Sequence, residues 1–262
     1  MNIDLHNHTK RCKHADGECE EYIQAAIVCG IDIFGFADHA PMKFDERYRM
    51  DIDEVESYID EVSHLREIYK DKIDIRVGFE VDYIHKKEYL IEPKVLNSDV
   101  DYLIGSVHFL NNWGFDNEEF LGVYKNVDIN KIWIEYLDSI ANMAQSGYFD
   151  IVGHFDLLKI FNNKPHKELQ KYIINALESI KDNNMVIEIN TAGLRKMIKE
   201  IYPSYDILQL VHKMEIPITF SSDAHNPTQV GFMKDSALNL AKKIGFNKVV
   251  SFKKREREIY DF

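Results

Sequence analysis

No stretch of the chain is apolar for the roughly 20 residues that a helix needs to cross a bilayer, so a membrane-spanning protein is not expected. The first residues, MNIDLHNH, lack the basic and then apolar segments of a secretory signal. Cysteine is scarce: Cys12, Cys19 and Cys29 all fall near the start, in a number and spacing that suggest no disulfide framework. A reducing, cytoplasmic setting is the expectation. With 6 Pro and 12 Gly, and no linker or low-complexity tract rich in them, the chain is neither collagen-like nor disordered. Positive charge is also short, since 32 Lys and Arg stand against 44 Asp and Glu for a net charge of -12. Nucleic acid and anionic membranes are bound chiefly through clustered Lys and Arg, so neither is expected as a partner. An anionic substrate would require local cations, and bound metal ions are the economical source.

What remains is ordinary globular material: 262 residues, 45% of them hydrophobic and 12% aromatic, enough for a sizeable core. Seven short β-like stretches, at 2–6, 31–36, 73–81, 102–107, 149–153, 185–190 and 217–222, alternate with segments of helical periodicity. The clearest helix is 51–70, where Val55, Ile59, Val62, Leu65 and Ile68 recur at intervals of three and four. Others run at about 20–29, 129–146, 166–182, 204–214 and 234–243, with 82–100 and 109–130 as longer connections. This rhythm predicts an α/β barrel in one domain, 1–262, and such barrels reach about 250 residues as single units. The late segment KVVSF, 248–252, reads either as an eighth strand or as a docked tail.

Metal-ligating residue types recur where the predicted strands end. His6 and His8 close the first, Asp38 and His39 the second, Glu80 the third, His108 the fourth, His154 and Asp156 the fifth, and Asp223 and His225 the seventh. In a parallel barrel these ends converge on one face, where such folds place active sites. Each pair alone has a plain explanation as turn or packing residues, but coincidence at six separate strand ends does not. Imidazole with carboxylate suits Zn, Mn or Fe better than Ca or Mg, and so many donors imply more than one ion. Grouped ions can activate water and stabilise the charge that develops in phosphoryl displacement, which points to phosphoester hydrolysis without a covalent intermediate.

The motifs HNHTKRCKH at 6–14, ADH at 37–39, GFE at 78–80, SVH at 106–108, GHFD at 153–156 and SDAH at 222–225 resemble, in order, those of the polymerase-and-histidinol-phosphatase (PHP) superfamily. Within it, GFADHAP at 35–41, IGSVHF at 104–109, EINTAGLRK at 188–196 and YPS at 202–204 resemble the monofunctional histidinol-phosphate phosphatases. The resemblance implies a distorted (β/α)7, TIM-like barrel with a centre of three divalent or trivalent transition-metal ions. Carried over by motif, His6, His8, Glu80 and Asp223 would hold one ion. Glu80, as a bridge, with His108 and His154 would hold a second, and His14, His39 and His225 a third. The implied reaction is hydrolysis of L-histidinol phosphate by a metal-bridging hydroxide, a step of histidine biosynthesis.

Beyond the ligands, Arg195 follows the sixth strand, and its guanidinium fork suits a phosphate; Lys159, after GHFD, is a second candidate for the same task. Asp223, His225 and Arg195 are the candidate catalytic residues. Asp38 and Asp156 are read as orienting neighbouring ligands, and the loop from Met42 to Met50 as a cover for the site. Two rivals stand beside this reading: a phosphoesterase of the same superfamily acting on another small monoester, and a non-catalytic metal-binding protein.

Overall fold

In the computed structural model, which describes residues 1–262, the predicted alternation of strand and helix becomes a ring of parallel strands. These are β1 (Ile3–Asp4), β2 (Ile33–His39), β3 (Asp74–Asp82), β4 (Tyr102–Ser106), β5 (Ile151–Val152), β6 (Val186–Asn190) and β7 (Ile218–Ser221), paired in that order. The ring closes where the Leu5 N–H donates to the Phe220 carbonyl at 3.1 Å and Asn7 bridges Ala224 in parallel. The result is a distorted (β/α)7 barrel, with its regular ladders thinnest at the two-residue strands β1 and β5.

Around it lie α1 (Cys19–Val28), α2 (Val55–Tyr69), α3 (Ile129–Gln145), α4 (Gln170–Asp182), α5 (Tyr205–Lys213) and α6 (Lys234–Ile244). Their starts are chemically marked. Glu18 and Glu21 form a capping box at α1, and the Asp128 carboxylate accepts the N–H groups of Asn130 and Lys131 at α3. On α2 the buried stripe is Val55, Tyr58, Val62, Leu65 and Tyr69. Ile68, assigned to that stripe from spacing, is instead 56% exposed, because the two tyrosines draw the buried face round the helix.

The interior of the barrel can be read along β3, whose alternate residues face inward. Arg76 lies at the floor, Gly78 one layer up, then Glu80 and Asp82 towards the mouth. Gly78 and Gly35 make room for Tyr102, which fills the barrel beneath the site. A Cβ on Gly35 would stand 2.2 Å from the Tyr102 hydroxyl, which bonds to the carbonyls of Leu5 and Phe36 at 2.6 and 3.0 Å. The mouth residues thus rest on a packed floor.

The segment read as an eighth strand or a docked tail does not join the barrel sheet but docks on it as half of a hairpin. Lys248–Lys253 (β8) pairs antiparallel with Glu256–Asp261 (β9) as a separate hairpin, apart from the barrel sheet. It is fastened to the N-terminal ends of the strands. Arg76 donates to the Phe252 carbonyl and pairs with Glu258, Asp101 accepts the Lys254 N–H at 3.1 Å, and Arg255 pairs with Asp150. The hairpin therefore plugs the end of the barrel opposite the site. Within the connection read as 109–130, a small hairpin (Phe109–Leu110 with Trp113–Gly114) and a 3-10 segment, Glu118–Asn126, flank the mouth.

Candidate metal centre

Glu80, 2% exposed, stands at the middle of the mouth and is met from both sides. Its Oε2 lies 3.0 Å from His39 Nδ1, 3.2 Å from His6 Nε2 and 3.6 Å from His8 Nε2. Its Oε1 lies 3.0 Å from His154 Nε2 and 3.6 Å from His108 Nε2, and accepts the Ser106 hydroxyl at 2.6 Å. Asp223 Oδ1 is 3.3 Å from His8 Nε2 and 3.4 Å from His225 Nδ1. Asp223 has φ of 52°, a left-handed backbone that aspartate tolerates better than most residues and that here turns the chain into the mouth. His14, from the loop after β1, reaches back until its Nε2 is 3.1 Å from that of His225. The structure therefore gathers His6, His8, His14, His39, Glu80, His108, His154, Asp223 and His225 in one place.

Two features of this cluster suit bound cations. The ring nitrogens of His14 and His225, and those of His108 and His154 at 3.2 Å, face one another. His6 Nε2, both ring nitrogens of His8 and His154 Nδ1 are buried with no hydrogen-bond partner. Buried polar nitrogens without partners are costly, and an ion is the partner that imidazole lone pairs at such spacing accept. Donor atoms of Glu80, His108 and His154 lie within 4.8 Å of one another, as expected for the second ion, and so do those of His6, His8 and Glu80, three of the four donors expected for the first. His14, His39 and His225 do not close on themselves. His39 and His225 group with His8, and His14 and His225 with Cys12.

The charges are set by the same packing. Burial works to raise the Glu80 and Asp223 carboxyls, yet the surrounding histidines, His6 foremost, hold both well below the usual carboxylate range. Burial pushes His39 and His225 well below the ordinary histidine value, leaving neutral rings with free lone pairs. Beside the cluster opens a cleft of about 960 Å³, lined by Phe44, Asp45 and Tyr48 from the 42–50 loop, and by Phe109, Asp116 and Arg195.

The sequence model of the PHP domain matches residues 4–192, which takes in the strand-end donors from His6 to His154. This chain belongs to the PHP domain family. Among its PHP relatives, it is 35% identical over 257 residues to the probable histidinol-phosphatase of Deinococcus radiodurans, covering 97% of this chain and 98% of that one. It is 29% identical over 261 residues to the histidinol-phosphatase of Bacillus subtilis, covering 90% and 97%. Its fold matches that of the histidinol phosphate phosphatase of Lactococcus lactis, whose crystal structure holds Zn, L-histidinol and phosphate. The TM-score is 0.83 at 20% identity over 98% of both chains.

Around the PHP site, several side chains differ from their expected places. Lys159 does not reach the cleft. It is 1% exposed, paired with Asp156 at 2.9 Å and Glu200 at 3.4 Å, and donates to the Ile201 carbonyl. Asp156, so engaged and accepting the Ser204 N–H, does not orient His154. Asp38 does not orient His39 either; side chains of adjacent strand residues point to opposite faces, and Asp38 instead takes the N–H and hydroxyl of Thr9, both at 2.7 Å. Arg195 does line the cleft. Its Nη2 donates to the carbonyls of Ser222 and Asp223, each at 2.8 Å, while Nη1 has no protein partner.

The residues that do orient ligands were not singled out from sequence. Glu188 accepts from the His6 ring at Nδ1, 2.9 Å away, and separately from the backbone N–H of His154 at 2.6 Å, and Asp82 meets the His108 ring at Nδ1, 2.6 Å away. Such carboxylate–histidine pairs fix the ring so that its other nitrogen faces an ion. The signal for Asp82 was its place two residues beyond Glu80 on an inward-facing strand.

Proposed function

We propose that this chain hydrolyses L-histidinol phosphate to L-histidinol and inorganic phosphate, a step of histidine biosynthesis, at a metal centre held by the residues gathered at the barrel mouth. The carrying observation is the set of buried imidazole nitrogens without hydrogen-bond partners, gathered round Glu80 in a chain that aligns end to end with histidinol-phosphatases. His6, His8, Glu80 and Asp223 would hold one ion, and Glu80, His108 and His154 a second. His14, His39 and His225 would hold a third, with Cys12 close by. Zn, Mn or Fe suits this donor set. Ions bound there supply Lewis acidity, making water nucleophilic near neutral pH and neutralising the phosphate.

The protein's own groups complete the chemistry. Arg195, anchored by Nη2 to the backbone beside Asp223, has Nη1 left to bind a phosphate oxygen. Asp223, held ionised, accepts the proton given up by the attacking water. As the bond between phosphorus and the ester oxygen breaks, that proton passes to the departing alkoxide, giving the alcohol. His225 Nδ1 meets the Asp223 backbone carbonyl at 3.2 Å and steadies the turn that carries the carboxylate. The far side of the cleft, with Asp45 and Asp116 among Phe44, Tyr48 and Phe109, suits a cationic amine and an imidazole.

We read residues 1–262 as one catalytic unit, and place it in the cytoplasm on the strength of its three free cysteines. No helix is long and apolar enough to cross a membrane. The test is phosphate release from L-histidinol phosphate beside a panel of other small monoesters. The account expects kcat/KM for histidinol phosphate to exceed the others by at least about 100-fold. Preference for another ester would move the substrate and keep the chemistry, whereas bound metal without turnover on any ester would favour a binding protein.

A further inference from the structure

Arg49 is the one basic residue sealed into the wall of the site. It is 3% exposed and belongs to the 42–50 loop, yet none of the proposed ligands touches it directly. Its Nη2 lies 2.9 Å from Asp82 Oδ2, and the other oxygen of the same carboxylate lies 2.6 Å from His108 Nδ1. Two further donors go to backbone carbonyls: Nε reaches that of Asp45, in the loop, at 3.0 Å, and Nη1 that of Ala40, just before the loop, at 3.4 Å. The guanidinium sits 4.8 Å over the Phe44 ring, which meets Phe109, the neighbour of His108, edge-on at 4.9 Å. One buried guanidinium thus connects the loop that lines the cleft with the group that aims a ligand.

We propose that Arg49 is a positioning residue that, through Asp82, sets the orientation and tautomer of His108 and so the affinity of the ion shared by Glu80, His108 and His154. The reason is geometric. With Arg49 on one oxygen, Asp82 can offer only the other to His108, so the Nδ1 proton is fixed there and Nε2 is turned towards Glu80. Remove the guanidinium, and the Asp82 carboxylate is free to rotate or to draw water into a 2%-exposed position, and the ring loses its fixed bearing. Because the same guanidinium ties down Asp45 and Ala40, ion affinity at this position and order in the 42–50 loop depend on one side chain. This inference rests on the metal-centre reading given above.

The experiment is a metal titration, independent of turnover. Metal-free wild type, Arg49→Met, Arg49→Lys and Arg76→Met are each titrated with Zn, and bound ions per chain are counted after desalting. Arg76 pairs with the hairpin at the opposite end of the barrel and controls for the loss of any buried guanidinium. Arg49→Met is expected to bind one ion class about 10- to 100-fold more weakly, the scale for losing a group that orients a ligand. Its kcat on histidinol phosphate should fall by a similar factor at limiting Zn and recover in excess Zn, with KM little changed. Arg49→Lys, which keeps the charge on Asp82 but not the fork, should recover part of the affinity, and Arg76→Met should lose stability with ion affinity intact. Equal ion affinity in Arg49→Met and wild type would overturn the proposal, as would an equal loss in Arg76→Met. If Arg49→Met does not fold, Arg49→Lys against Arg76→Met decides by the same comparison. A wild type that binds no ion would instead sink the metal-centre reading itself.

Discussion

Lys159 and Arg195 stand on successive loops of the barrel and carry the same charge, yet only one is available to a ligand. The difference lies in what surrounds them. Lys159 is enclosed with Asp156 at 0% exposure, and its ammonium already has a carboxylate, a second carboxylate and a carbonyl as partners. Arg195 keeps one nitrogen without a partner. Lys159→Met should therefore cost stability, by about 3 to 5 kcal/mol for leaving Asp156 buried and unpaired, while KM for the phosphoester changes less than about twofold. Denaturant unfolding and steady-state kinetics check this, and a large rise in KM at unchanged stability would restore Lys159 to the substrate. At this scale the sequence was informative about donors and poor about their supports. Histidines at successive strand ends announce themselves, because few other roles demand them there. Asp38, Asp82, Asp156 and Glu188 are all carboxylates near such histidines, and which of them faces a ligand depends on strand parity and on partners distant in the chain. Thr9 claims Asp38, and Lys159 claims Asp156.

Among the elements, the C-terminal hairpin most resisted prediction, and its turn explains why. Lys254 and Arg255 have φ of 51° and 66°, the left-handed pair that a two-residue type I′ turn requires, at positions with neither Gly nor Asn to signal it. Tertiary contacts enforce the turn instead: Asp101 takes the Lys254 and Arg255 N–H groups, and Asp150 pairs with the Arg255 side chain. The second strand, with Ile259 63% exposed and charges around it, offered no apolar alternation to read. The barrel strands, by contrast, were legible because they are buried on both faces and appear as apolar runs. Val249, Val250 and Phe252 of the hairpin are buried against the barrel floor, worth about 1.5 to 3 kcal/mol each, against a total stability of order 5 to 15 kcal/mol for a typical protein. Deleting 247–262 should therefore abolish cooperative thermal unfolding, although every proposed ligand is retained. A truncated chain that melts cooperatively near the parent temperature would show that the plug is dispensable.

For the molecule as a whole, a net charge of -12 leaves the buried carboxylates of the site to be balanced by the histidines around them and by bound cations. Burial opposes the His108 imidazolium, but Asp82 and Glu80 outweigh it and push its pKa up to about 10. His6 is raised in the same way, with burial overcome by Glu188 and Glu80. His108 therefore favours its protonated form at pH 7 when no ion is bound, whereas His39 and His225, lowered by burial, favour neutral rings. An ion must displace the His108 proton, so its apparent affinity should rise with pH until about 10 and level off above. Calorimetric titration at pH 7 in two buffers of different ionisation enthalpy should show net release of protons on filling the site. Uptake of protons, or none exchanged, would contradict this charge state.

The most direct test of the whole account is phosphate release from L-histidinol phosphate by protein whose bound metals have been counted, before chelation, after it, and after restoring Zn, Mn or Fe. The account predicts more than one ion per chain, turnover lost with the ions, and turnover regained when they return. Undiminished hydrolysis by fully metal-free protein would contradict it.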